Sequence, residues 1–409
     1  MPIDVVSTVQ AFNAGRDSQR LTLKYQKMRA SPFAFLRGTC HLFYDRLAQT
    51  SDLEKSPSVW VCGDMHLENF GSYKGDNRLV YFDLNDFDES ALAPACWELV
   101  RMLSSIELGG AEMGLTPKEA RAVRKDFLNA YVAELAVGKS HWLERDTAMG
   151  PVHLLLSSLR ARTRIAFLDS RTERRPKQRV IRIDGKRALA ASPAERTAVG
   201  DLMAAFARSQ PNPDFFQVLD VARRIGGTGS LGLERYTVLV KGKAKNKREI
   251  DGNYLLDIKR AGPSALLPHL TIKQPDWPSE AHRVVAVQQR MQAVPMAFLH
   301  AVQWGQRSVV LRALQPSEDR IVIAPTSHAS ADFRQVLVNM GQLLAWAQLR
   351  SAGRQGSVNA DTLIDFAHAP RWQTRLLDSA RACTQQVLKD ADLFNAAFDD
   401  GDFAVDSHD

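Results

Sequence analysis

Cysteine is scarce in this chain. Cys40, Cys62, Cys96 and Cys383 are the only four in 409 residues and show no C-x-x-C spacing, so neither a zinc site nor a disulfide framework is indicated. No apolar run approaches the roughly 20 residues needed to cross a bilayer. The opening stretch MPIDVVSTVQAFNAGRDSQR lacks the charged-then-apolar pattern of a signal peptide. The expectation is a cytoplasmic protein with no membrane partner. Internal repeats and low-complexity segments are missing too. So is any basic stripe with interleaved aromatics, and nucleic-acid binding is not indicated. A formal charge of +7 suits an anionic ligand such as a nucleotide, although many basic proteins have no such ligand.

The length exceeds what one compact core usually holds, so two lobes are expected. Residues 19 to 50 read as helical, broken at Pro32. Val59-Trp60-Val61 and Leu79-Val80-Tyr81-Phe82 are short strand-like runs, with a turn at Lys74 to Asn77 between them. Cys96, Leu99, Val100, Leu103 and Ile106 then keep helical spacing, and Thr116-Pro117-Lys118-Glu119 is a capping box. Residues 155 to 190 are dense in arginine, which reads either as a solvated segment or as an anion-contacting loop. From about 216 to 315 strands dominate. Tyr236 to Val240 and Tyr254 to Ile258 flank a lysine-rich turn, a hairpin turns at Trp304-Gly305-Gln306, and a helix spans Glu280 to Met291. A longer helix carries Phe333, Val336, Leu337, Met340, Leu343, Leu344 and Ala347 on one face.

The most informative stretch is Val61-Cys62-Gly63-Asp64-Met65-His66-Leu67-Glu68-Asn69-Phe70-Gly71, followed by Val80-Tyr81-Phe82-Asp83. Phosphoryl transfer from ATP needs one carboxylate to orient or deprotonate the accepting hydroxyl, and oxygen ligands for the magnesium that bridges the phosphates. An Asp with an Asn five residues later can place both groups on one loop, and a second Asp on a hairpin arm can close the metal site. Three other readings stand beside this one: an unrelated metal cluster on Asp64-x-His66-x-Glu68, a calcium loop over Asp83 to Glu89, and a purely structural Asp/Asn-rich turn. The calcium loop lacks its glycine and its distal glutamate.

A second signal is Gly227, Gly229 and Gly232 in G-x-G-x-x-G spacing, running into the strand-like Tyr236 to Val240. A dinucleotide fold needs a helix after this loop. A kinase has strands on both sides and lays the loop over the phosphates.

These segments resemble kinase-like phosphotransferases of the aminoglycoside and choline kinase branch, whose pattern is H-G-D-x-H-x-x-N and then an apolar strand ending in Asp. Gly63, Asp64, His66 and Asn69 match, Asp83 falls at a similar distance, and Cys62 stands where histidine is usual. The resemblance implies a catalytic Asp64 and magnesium on Asn69 and Asp83. It also implies ATP under Gly227, Gly229, Ser230 and Gly232, with Lys259 on the phosphates and Glu280 as a candidate partner for that lysine. The glycine loop follows the catalytic loop here, the reverse of the usual kinase order, so a circular permutation is implied. The expected fold is α+β and bilobal, kinase-like and permuted. Residues 1–215 form a helical lobe with the catalytic loops, 216–315 a β-rich nucleotide lobe, and 316–409 helices that complete the first lobe.

The chain also resembles the DUF2252 family of bacterial proteins through Ser31 to Gly38, Gly63 to Gly71, Phe82 to Glu89, the glycine loop and Arg283-Val284-Val285. Arg260 stands where an acidic residue is expected from that family. The resulting expectation is an ATP- and Mg2+-dependent phosphotransferase acting on an unidentified small-molecule or protein acceptor. The alternative is a nucleotide-binding pseudokinase or regulatory module without turnover.

Overall fold

Six antiparallel strands form the largest sheet, in the order His300–Trp304, Arg307–Ala313, Tyr254–Ala261, Arg235–Val240, Val218–Arg224 and Ala188–Ala190. The computed structural model describes residues 3–47, 52–243, 249–315 and 329–404. It is a mixed α+β structure, 53% helical and 17% strand.

The sheet shows how period-2 alternation divides chemistry between two faces. Tyr236, Val238, Val240, Leu256 and Ile258 pack against Val199, Leu202, Met203 and Phe206 of the helix Pro193–Arg208. The intervening Leu239 and Leu255 join Leu168 and Ile181 on the other side. Asp257 and Lys259 follow Leu255 at the same alternation, which aims them at the same face as Leu255. The sheet and its covering helix draw on residues from Ala188 onward, ahead of the boundary expected at 216.

The larger core is helical. Pro117–Val137 packs along Ala329–Ser351, and Ala95–Glu112 along Trp372–Asp399. Thr116 forms the expected capping box with Glu119, and Pro32 starts a new helix, Pro32–Gly38, capped by Ser31. Two small antiparallel ladders enter this core. Ser58–Val61 pairs with Ala91–Pro94, and Phe70–Lys74 forms a hairpin with Val80–Leu84. Among the described residues no helix is long and apolar enough to cross a membrane.

Candidate functional site

The helix Ala95–Glu112 is the scaffold of the loop around Asp64. Its apolar residues face the core, while Glu98, Arg101 and Ser105 form a buried polar stripe at helical spacing. Each grips one part of the loop. Glu98 Oε1 accepts from the N–H groups of Cys62 (2.6 Å) and Gly63 (3.3 Å). Arg101 Nε donates to Asp64 Oδ1 at 2.9 Å, and its Nη2 donates both to that oxygen and to the Leu36 carbonyl. Ser105 Oγ accepts from Leu67 N at 2.9 Å. Gly63 turns the chain at φ +85°, where a Cβ would stand 2.1 Å from the Glu89 carbonyl oxygen.

Asp64 therefore presents one carboxylate oxygen to Arg101 and leaves the other facing the cleft. There Oδ2 stands 4.0 Å from His66 Nε2, and a Cβ on Gly229 would lie 3.7 Å from it. The glycine loop joins the antiparallel strands Val218–Arg224 and Arg235–Val240, so strands stand on both sides of it, as expected. Arg16 Nη1 donates to the carbonyls of Gly229 (2.8 Å) and Leu231 (3.0 Å), and Asp17 N to that of Gly232 (3.0 Å). Ser230 Oγ accepts from Arg235 Nη1 at 3.3 Å.

The structure brings Asp64, Asn69, Gly227, Gly229, Ser230 and Lys259 to the wall of one cleft of about 130 Å³. It does not bring Gly232, Asp83 or Glu280 there. Asp83 is buried in the helical core, where Oδ2 meets Arg350 Nη2 at 3.1 Å and Ala293 N at 3.2 Å, and Oδ1 accepts from Leu84 N. The strand Val80–Leu84 turns that side chain inward before the loop begins. Glu280 instead pairs with Arg283, one helical turn on, at 2.7 Å.

The acids that face Lys259 are Asp86, at 3.3 Å, and Asp88, closer still. Both lie in the segment Phe82 to Glu89, and their two-residue spacing just past a strand-like run ending in Asp83 is the sequence signal for them. Asn69, 1% exposed, ties their loop to that of Asp64. Its Nδ2 donates to the carbonyls of Asp64 (3.2 Å) and Asp86 (3.1 Å), and its Oδ1 accepts from Asp86 N (2.6 Å). Asn69 is thus a brace between two acidic loops, and its amide oxygen is engaged by backbone.

Glu89 completes the acidic wall. Burial pushes its carboxyl up to about 7; the Ala265 N–H, donating at 2.5 Å, opposes the shift, and Asp64 and Asp88 add to it. The basic wall is organised by Asp257, which is fully buried. Arg235 contacts it through Nε (2.9 Å) and Nη2 (2.7 Å), Arg224 at 2.8 Å and Arg312 at 3.4 Å. Burial alone would raise this carboxyl, but the three guanidinium groups hold it well below the usual range. Among the described residues, no group of three or more His, Cys, Asp or Glu is arranged to hold a metal ion.

The placement of Asp83 gives a test. Asp83→Ala removes one member of a buried pair and should cost about 3 kcal/mol. Chemical denaturation reads that loss, and, on the expectation of nucleotide binding stated from the sequence, affinity of the folded variant should stay within about two-fold of wild type because Asp83 lies away from the cleft. A large affinity loss with unchanged stability would return Asp83 to the site.

No curated protein and no solved structure matches the chain. One family model does, over residues 16–397, and its description reads "uncharacterized protein conserved in bacteria". That span takes in Arg16, the Asp64 and Asp88 loops, the glycine loop and Lys259. The chain belongs to the DUF2252 family.

Proposed function

We propose that this protein is an ATP-dependent phosphotransferase that works with Mg2+. One observation carries the proposal: the glycine hairpin lies across Asp64 while Lys259, on the strand Tyr254–Ala261, faces Asp86 and Asp88 in the same cleft. Phosphoryl transfer needs little covalent chemistry from a protein and much positioning of charge. Asp64 Oδ2 is the group that accepts the proton of the acceptor hydroxyl, whose oxygen then bonds to phosphorus as the bond to the ADP leaving group breaks. Arg101 fixes that carboxylate from behind. Backbone N–H groups of Gly226 to Gly229, which line the cleft, cover the phosphates, and Lys259 offsets their charge.

The donor set fits magnesium. Asp86 and Asp88 offer only carboxylate oxygen, and two carboxylates plus substrate phosphates are a common way to hold this ion, which rarely occupies an all-protein cage. Mg2+ bound there would neutralise phosphate charge, with Asn69 holding the Asp86 backbone in place.

A second reading, nucleotide binding without turnover, is favoured by the narrow cleft and by the Lys259 pairing with Asp86 and Asp88. Thermal unfolding with Mg-ATP tests both. At a nucleotide concentration 100-fold above Kd the folded state gains about 2.7 kcal/mol, and EDTA should reduce the gain. No shift at millimolar nucleotide overturns both readings, whereas a shift without turnover selects the second.

A further inference from the structure

The glycine hairpin has two sides. One covers Asp64 and Lys259; the other walls a second cavity of about 420 Å³, within the size range of small-molecule sites (~300–1,000 Å³). Gly226, Gly227 and Thr228 line both spaces, so the hairpin is their common partition. Seven basic side chains line the second cavity against two acids, Glu68 and Asp184. Each acid sits beside an arginine: Glu68 contacts Arg37 at 2.9 Å, and Asp184 lies 4.0 Å from Arg187. The wall is therefore strongly positive overall.

The arginine-rich segment supplies much of this charge, and its basic residues play different parts. Arg179 is buried and structural, held by Asp169 (2.6 Å) and Asp251 (3.0 Å). Arg171, Arg182, Lys186 and Arg187 line the cavity, the last three exposed. The turn that carries Lys186 and Arg187 is ordered. Asp184 Oδ1 accepts from the N–H groups of Lys186 (2.9 Å), Arg187 (2.7 Å) and Ala188 (3.2 Å). A fixed cationic turn fits charge recognition better than a solvated segment does. Among the described residues no aromatic side chain lines the cavity, so it has no platform for stacking a base.

We infer that this cavity binds a small, non-aromatic polyanion bearing phosphate or carboxylate groups. The inference stands on the cavity, its charge and its ordered turn, and does not depend on the phosphotransferase reading.

Isothermal titration with fructose 1,6-bisphosphate, with fructose as uncharged control, tests the site in the full chain. The bisphosphate should bind and fructose should not. Lys186→Glu combined with Arg187→Glu changes only exposed side chains. It should weaken the bisphosphate at least ten-fold, keep the wild-type melting temperature, and leave binding of a non-hydrolysable Mg-ATP analogue within two-fold. Absence of bisphosphate binding to wild type, or equal binding to the variant, overturns the site. Parallel loss of bisphosphate and analogue binding in the folded variant also overturns it, because the cavity would then serve the nucleotide. If wild type binds the bisphosphate but not the analogue, the anion site stands and the phosphotransferase reading falls.

Discussion

Asp64→Asn should lower turnover at least about 100-fold, the scale of a lost general base, while nucleotide affinity stays near wild type. The carboxamide keeps the shape of the side chain and leaves an oxygen for Arg101, whose guanidinium is fully buried. It removes the charge and basicity that Oδ2 offers to the cleft. Asp64→Ala is a different experiment. It leaves Arg101 buried without its counter-charge, and breaking such a pair costs about 3–5 kcal/mol, so its inactivity would report unfolding as much as chemistry. The asparagine variant, assayed by steady-state kinetics beside calorimetric nucleotide titration, separates the two. Full activity in that variant would remove Asp64 from catalysis.

The largest stability loss is expected from Asp257→Ala, at about 5 kcal/mol or more, the upper end for an unpaired buried charge. A single carboxylate there faces Arg224, Arg235 and Arg312, and its removal sets three cations against one another in the sheet. The pH dependence has a definite sign. The folded carboxyl sits well below its unfolded value of about 3.9, so the unfolded chain binds the proton first. The stabilisation is complete above that unfolded value and is lost as pH falls toward the folded one. Urea denaturation at pH 7 and at pH 3 reads both effects. A variant as stable as wild type at pH 7 would show that the arginine cluster does not depend on Asp257.

What the sequence discloses and what it hides follow from the range of the interactions involved. The strands Arg235–Val240 and Tyr254–Ala261, the helix Glu280–Met291 and the capping box at Thr116 depend on near neighbours, and all were legible. So was the α+β class, while the cleft expected from the glycine loop, Lys259, Asp64, Asn69 and Asp83 forms without Asp83 and Gly232. The choice among Asp83, Asp86 and Asp88 was not legible. It depends on where Val80–Leu84 ends and which side chain then faces Arg350, a residue more than 250 positions away. Arg101 was hidden for a related reason. In the helix Ala95–Glu112 the apolar residues announce a core face, while Glu98, Arg101 and Ser105 fall in the gaps and look like surface. Only tertiary packing shows that those gaps face the Asp64 loop. Glu280 does not partner Lys259 because it pairs with Arg283 within its own helix, while Asp86 and Asp88 face the lysine.

The Lys259 contacts also bear on how the chain is made. Lys259 lies 173 residues after Asp86. At about 5–20 residues per second on the ribosome, the acidic loop emerges roughly ten to thirty seconds before its lysine. Throughout that interval Asp86, Asp88 and Glu89 lack the sheet that later faces them. The helices Ala329–Ser351 and Trp372–Asp399, which pack against the rest of the helical core, emerge later still, so both walls of the cleft are complete only after the strand and those helices have emerged.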